Sequence, residues 1–197
     1  MLTRVSSIET FRRWRQDEEA TAADLVERLT NFQPTEPMLA GTAFHAALEV
    51  AKPGDYDRLE ANGYTFLLPD SSIALTPIRE LRASKRYGPI VVTGKLDGLY
   101  GKRVEDHKTT ASFNPDGYFE GCQWRFYLDI FEADVFRWNV FVITPVPKLD
   151  KTYTVKPPQL LEQCRYPGMH DDCMDLADDF HEFAAQFMPD YTPNLEA

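Results

Sequence analysis

The chain has 197 residues, 43% hydrophobic and 13% aromatic, with 31 Asp and Glu against 21 Lys and Arg for a formal net charge of -10. That is too apolar for a disordered chain and long enough to bury one core, so a single domain over residues 1–197 is expected. No run of about 18 uncharged apolar residues is present to span a bilayer, and the acidic balance argues against a protein that coats nucleic acid through a general positive field.

The N-terminus, MLTRVSSIETFRRWRQDEE, has no apolar signal core and turns acidic early, which predicts a protein retained in the cytoplasm. Three cysteines, Cys122, Cys164 and Cys173, are too few and odd in number for a disulfide framework, in keeping with a reducing compartment. In chain order, Ser6 or Ser7 before the spaced Ile8, Phe11 and Trp14 predicts an N-capped helix, and Thr21 with Asp24 predicts a capping box opening a second. After Pro34 and Pro37, the run MLAGTAFHAALEVA predicts a third helix. From Tyr64 to Thr110 the runs YTFLL, SIALTPI, PIVVTGKLDGLY and RVEDHKTT predict strands, separated by Asn-Gly, Pro-Asp and Tyr-Gly turns, in an antiparallel meander or set of hairpins. Helical spacing returns from about Pro115 to Ala133; FRWNVFVIT and KTYTVK predict two more strands. A last helix follows Gly168, with Cys173, Leu176, Phe180, Phe183, Ala184 and Phe187 on one face and Asp residues clustered at its N-terminal end. This order predicts an α/β or α+β domain around a central mixed sheet flanked by helices.

Charge is unevenly distributed. Residues 79–108 hold eight basic side chains and four acidic ones, while residues 159–197 hold nine acids and one base, Arg165. A polyanion should therefore meet the middle of the chain, where Arg82, Lys85, Arg86, Lys102 and Arg103 are candidate phosphate contacts.

The stretch GKLDGLYGKRVEDHKTT carries the most chemistry. Strand alternation places Asp106 and Lys108 on one face of RVEDHKT and Glu105 and His107 on the other. A turn at Tyr100-Gly101 folds the preceding strand back so that Asp97 nears Asp106. Two clustered carboxylates beside a lysine suit a hard divalent cation that also takes a phosphate and a water. The same spacing also describes two hairpin acids neutralised by lysines on a solvated face. His45, among Ala, Leu and Phe on its helix, has the surroundings of a hydrogen-bonded core histidine. Gln123 and Tyr127, four apart, are neighbours on a helix face, where ordinary packing explains them equally.

Taken in order, Gly41-x-x-x-His45, Glu80, Gly94-x-x-Asp97-Gly, Asp106-x-Lys108-Thr109 and Gln123-x-x-x-Tyr127 resemble the RecB-like exonuclease branch of the PD-(D/E)XK nuclease superfamily. With Ser6-Ser7-Ile8-x-x-Phe11 the resemblance covers roughly residues 6 to 145. It implies a restriction-endonuclease-like core and a metal-dependent phosphodiesterase using Mg²⁺ or Mn²⁺. By the same resemblance Asp97, Asp106, His45 and the backbone carbonyl of His107 are the metal ligands and Lys108 serves the attacking water. Glu80 is a supporting acid, with an alternative as partner of Arg79 or Arg82, and Gln123 and Tyr127 position the strand.

The sequence departs from the iron-sulfur members of that branch. Trp14 stands where their first cysteine is expected and only Cys164 and Cys173 lie near the C-terminus, so no four-cysteine cluster is expected. Cys164, His170 and Cys173 make three zinc-type ligands without a fourth, and a helix start with a packed cysteine is preferred. The leading expectation is a DNA exonuclease of phage or bacterial recombination and repair, with a recombination partner protein as a candidate associate. The alternatives are a catalytically lapsed nuclease-fold interaction module and a structure-specific endonuclease.

Overall fold

The computed structural model describes residues 1–52, 57–68 and 75–193. Strand β1 (Leu2–Arg4) leads directly into α1 (Val5–Arg15), followed by α2 (Ala22–Thr30) and α3 (Glu36–Val50). The strands β2 (Arg58–Ala61), β3 (Tyr64–Leu67), β4 (Ile78–Arg79), β5 (Arg82–Tyr87), β6 (Ile90–Lys95), β7 (Gly98–Tyr100) and β8 (Arg103–Thr110) come next. Helices α4 (Asp116–Phe119) and α5 (Gln123–Ile130) then precede β9 (Val135–Pro145), β10 (Thr152–Val155), β11 (Gln159–Cys164) and the long α6 (Met169–Phe187).

The strands form two sheets, β1-β6-β5 and β2-β3-β10-β9-β8-β7-β4, with β11 also paired to β9. The result is an α+β fold with a mixed central sheet flanked by helices. The meander expected over 64–110 holds only in part. β5/β6 and β7/β8 are antiparallel, but β8 runs parallel to β9, β3 to β10 and β1 to β6. The crossover through α4 and α5 returns the chain to the same end of the sheet, which forces β9 to lie parallel to β8. Of the run SIALTPI, residues 72–74 lie outside the described residues, and Ile78 alone enters a strand.

Capping is correct at one helix and wrong at another. Thr21 and Asp24 form the reciprocal box at α2. At α1 the N-cap is Arg4, not a serine, because parallel pairing of β1 to β6 carries extended chain up to Arg4 and the helix begins at once. Ser7 is instead buried inside the helix, where its Oγ accepts a hydrogen bond from Tyr191 at 2.8 Å. The Asn62-Gly63 turn between β2 and β3 has both residues at positive φ, 51° and 79°, as a two-residue hairpin requires.

β9 is apolar on both faces because it is covered on both. Phe136, Trp138 and Val140 join the core made by α1, α5 and α6, while Phe141 and Ile143 join the core under α3 with Phe44 and Phe66. Each such aromatic contributes on the order of 1.5–3 kcal/mol by leaving water. The register of β8 on β9 fixes everything nearby: Asp106 lies beside Trp138, His107 beside Asn139 and Lys108 beside Val140. Asp106 and Lys108 therefore face the α5 side of the sheet and His107 the α3 side, as the alternation predicts. Among the described residues no helix is long and apolar enough to cross a membrane.

Candidate active site

Two neighbouring strands and one helix build the site. The pairing of Gly98 with Glu105 carries Asp97, one residue before β7, to the level of Asp106 and His107. Its Oδ2 accepts the backbone N–H of His107 at 2.6 Å. Helix α3 brings His45, whose Nδ1 is 3.4 Å from Asp97 Oδ1. Gly41 favours this approach: a Cβ there would lie 2.7 Å from Thr109 Oγ1 on β8, so a larger residue forces either the threonine side chain or the helix to move.

Asp106 is 6% exposed, and Lys108 Nζ donates to its Oδ1 at 3.0 Å. The same ammonium is 3.0 Å from Oδ2, but that buried oxygen has no hydrogen-bond partner. Burial raises the Asp106 pKa and the Asp97 charge adds to the rise, against the pull of Lys108. Asp97 goes the other way. Burial opposes its charge, but His45 outweighs burial and holds the carboxyl well below the usual range. His45 and Lys108 are both raised: burial works against their charge, and Asp97 and Asp106 respectively outweigh it. Two acids a strand apart are thus driven to opposite affinities for a proton, an arrangement common at functional sites.

Asp97, His45 and Lys108 border a cavity of about 620 Å³ with Glu80, Lys95, Arg82 and Tyr127. Lys108 also borders a second cavity of about 330 Å³ with Gln123, Glu9 and Tyr118. Glu80, at φ 57°, pairs with Lys95. Arg79 instead donates to the carbonyls of Leu48 and Ala51 at the end of α3, at 2.9 and 3.0 Å. Tyr127 donates its hydroxyl to the Lys95 carbonyl at 2.8 Å, bracing β6 against α5. The His107 ring, off the cavity side, is held by Asn139 Nδ2 at 3.3 Å and packs on Phe141. Among the described residues, no group of three or more His, Cys, Asp or Glu side chains converges so as to hold a metal ion.

The five basic residues expected to meet phosphate separate. Arg82 borders the larger cavity, and Arg86 is exposed on the same face of β5. Lys85 points to the opposite face and pairs with Asp129 at 3.0 Å. Lys102 donates to the Glu132 carbonyl and Arg103 pairs with Glu105, both at the start of β8 and a strand's length from Lys108. Sequence reasoning missed Arg4 and Thr93, brought to the cavity by β1/β6 pairing, and the Lys95 contact of Glu80. It also missed Glu9. That carboxylate, 8% exposed, accepts from Arg12, Arg13 and, at 2.7 Å, from the backbone N–H of Cys122 at the start of α5. Of the three zinc-type ligands, His170 turns to Asp129 at 2.8 Å and Cys164 is exposed.

No protein-family model and no curated protein matches the sequence. Among solved structures, the chain is similar to SSO0001 over 98% of its own length and 79% of that chain, with a TM-score of 0.51 and 16% identity. A protein of Eubacterium rectale named provisionally as an exonuclease aligns over 97% and 83%, with a TM-score of 0.58 and 11% identity. LHK-Exo, solved in complex with dAMP, aligns over 94% and 89% at a TM-score of 0.48 and 12% identity. The likenesses to SSO0001 and to the Eubacterium rectale protein establish the fold this chain shares with them.

Proposed function

We propose that this protein is a divalent-metal-dependent DNA nuclease acting as an exonuclease, of the RecB-like branch of the PD-(D/E)XK superfamily. The observation that carries the reading is the juxtaposition of Asp97, Lys108 and His45 at one cavity, with Asp106 buried beside them and its Oδ2, 3.0 Å from the Lys108 ammonium, accepting no hydrogen bond. A buried acceptor without a hydrogen bond costs roughly 1–3 kcal/mol, and a metal cation would add to the single ammonium that stands beside this one. The Eubacterium rectale neighbour's name supports the same reading.

By donor chemistry, two carboxylates, an imidazole and a carbonyl suit a hard or borderline ion, although the side chains as placed do not converge as three ligands. Asp97, Asp106, His45 and the carbonyl of His107 would hold Mg²⁺ or Mn²⁺, with water and substrate oxygens completing an open site. When bound, the ion supplies positive charge to a phosphodiester and acidity to a water. Without such charge the two carboxylates repel any phosphate that enters, which is the electrostatic argument for metal dependence. Lys108, pinned by Asp106, is placed to orient the attacking water and to donate to a phosphoryl oxygen as charge grows on it. Tyr127 ties α5 to β6 and Gln123 lines the second cavity, and in this reading both would position the strand rather than react. DNA is the proposed partner, in phage or bacterial recombination or repair.

The test is product analysis on end-labelled single- and double-stranded DNA, linear and circular, with Mg²⁺ or Mn²⁺. Metal-dependent shortening from ends, with circles spared, is expected. Cleavage of circles would make the protein an endonuclease, and no cleavage with either ion would make it a binding module.

A further inference from the structure

A second built surface lies between the C-terminal ends of α1 and α6 and shares no lining residue with the cavity of Asp97 and Lys108. Its floor is aromatic: Trp14 packs on Phe11 and on Phe183, at ring-centroid distances of 5.8 and 5.0 Å, and Phe183 packs on Phe187 at 4.8 Å. Phe187 remains 44% exposed, and the groove above these rings measures about 480 Å³.

The charged rim is net acidic, with Asp17, Asp179 and Glu182 against Arg15. Helix α6 as a whole carries six acids and no Lys or Arg, and the turn after α1 adds Glu18 and Glu19 to Asp17. Aromatic floor and anionic rim together select against phosphates and against a second copy of this chain, whose net charge is -10. They select for cations with apolar anchors. The molecule already shows such a cation in place: the guanidinium of Arg15 lies 5.6 Å from the centre of the Phe11 ring and pairs with Asp179. A cation over an aromatic face beside a carboxylate is a favourable contact at an exposed site.

We propose that the α1–α6 groove docks a basic amphipathic helix of a partner protein, its apolar residues on Trp14 and Phe187 and its Lys or Arg residues against Asp17 and Glu182. A groove between two helices, with Phe187 exposed and Trp14 half-buried above the buried Phe11 and Phe183, matches helix-in-groove recognition. Complementary rim charge fixes partner choice and speeds encounter. Because the groove is separate from the nuclease cavity, the partner and DNA bind at once.

The test uses a dye-labelled peptide of about four helical turns, with Leu at helical spacing and Lys elsewhere, titrated with the full chain in about 0.15 M salt and read by fluorescence anisotropy. Wild type is expected to bind it and to ignore a Glu-for-Lys counterpart. Phe187→Ser and the double variant Asp17→Lys/Glu182→Lys should each weaken binding about ten-fold or more. Glu60→Lys/Asp150→Lys, which alters net charge by the same amount elsewhere on the surface, should not. Thermal unfolding of each variant confirms that the fold is retained. Equal losses from the two double variants would reduce the effect to net charge and overturn the proposal. Failure of wild type to bind the Lys peptide, or equal binding of both peptides, would overturn it as well. DNA cleavage is measured in parallel and is expected to be unchanged, so the outcome is independent of the nuclease reading.

Discussion

Two buried aspartates, one on β8 and one on α5, meet opposite fates. Asp129 is 2% exposed and fully engaged: Tyr87 donates to it at 2.8 Å, His170 at 2.8 Å and Arg165 at 3.5 Å, and Lys85 stands 3.0 Å away. Asp106 has one charged partner, Lys108, a like charge in Asp97 nearby, and an Oδ2 that accepts no hydrogen bond. Burial opposes charge at both, but at Asp129 the hydrogen bonds from His170, Lys85 and Tyr87 outweigh it and lower the pKa, whereas at Asp106 burial prevails and raises it. A carboxylate with every site filled ties elements together. One with an empty site retains the capacity to bind.

The sharpest way to break this contrast is substitution at each aspartate. Asp106→Asn should reduce DNA cleavage by about 10³-fold or more while leaving the fold as stable as wild type or slightly more so at pH 7, because it removes a like-charge conflict. Rates with Mn²⁺ and thermal unfolding, measured on the same preparation, check both halves. Asp129→Ala should act in reverse and destabilise by about 3 kcal/mol, since it strands Lys85, Arg165 and Tyr87 around an empty site, with activity per folded molecule close to wild type. Denaturant titration together with active-site-normalised rates separates the two.

A smaller effect sharpens the comparison at a third carboxylate. Burial opposes the charge of Glu9, but hydrogen bonds from Arg12, Cys122 and Arg13 outweigh it and hold the pKa at about 2 instead of 4.5. A lowered acid pKa adds stability that is present above the unfolded value and lost as pH falls, here between 4.5 and about 2. Glu9→Gln should therefore lose about 2–3 kcal/mol at pH 7, and the gap to wild type should close across that window. Unfolding free energies as a function of pH check it.

The same comparison explains what was legible in the sequence. Asp106 and Lys108 were readable because a period of two is a local property of a strand, and Asp97 because Gly101, at φ 60°, marks the turn that folds β7 onto β8. Lys85 and Arg82 looked alike in a basic stretch. Their separation depends on β5 being a strand, and RASKRY shows only Ala83 and Tyr87 as apolar signals for its inner face. Strands β1, β2 and β11 are similarly short or half exposed. Glu9 and Arg4 reach the site only through pairings some 90 to 110 residues distant, β1 on β6 and Glu9 on Cys122, and no local pattern announces them.

The smallest predicted effect concerns that separation. Arg82→Glu, at the cavity, should weaken DNA binding and flatten its salt dependence by about one unit of slope, whereas Arg103→Glu, at the far end of β8, should not. Binding isotherms at several salt concentrations with the inactive Asp106→Asn protein check it.

The central claim, that the Asp106 carboxylate belongs to a metal site, is tested most directly by calorimetric titration of Mn²⁺ into wild type, Asp106→Asn and Asp129→Asn, with and without DNA. Binding that is lost in Asp106→Asn and kept in Asp129→Asn is the predicted result. No Mn²⁺ binding to wild type at millimolar concentration with DNA present, or equal binding by wild type and Asp106→Asn, would contradict it.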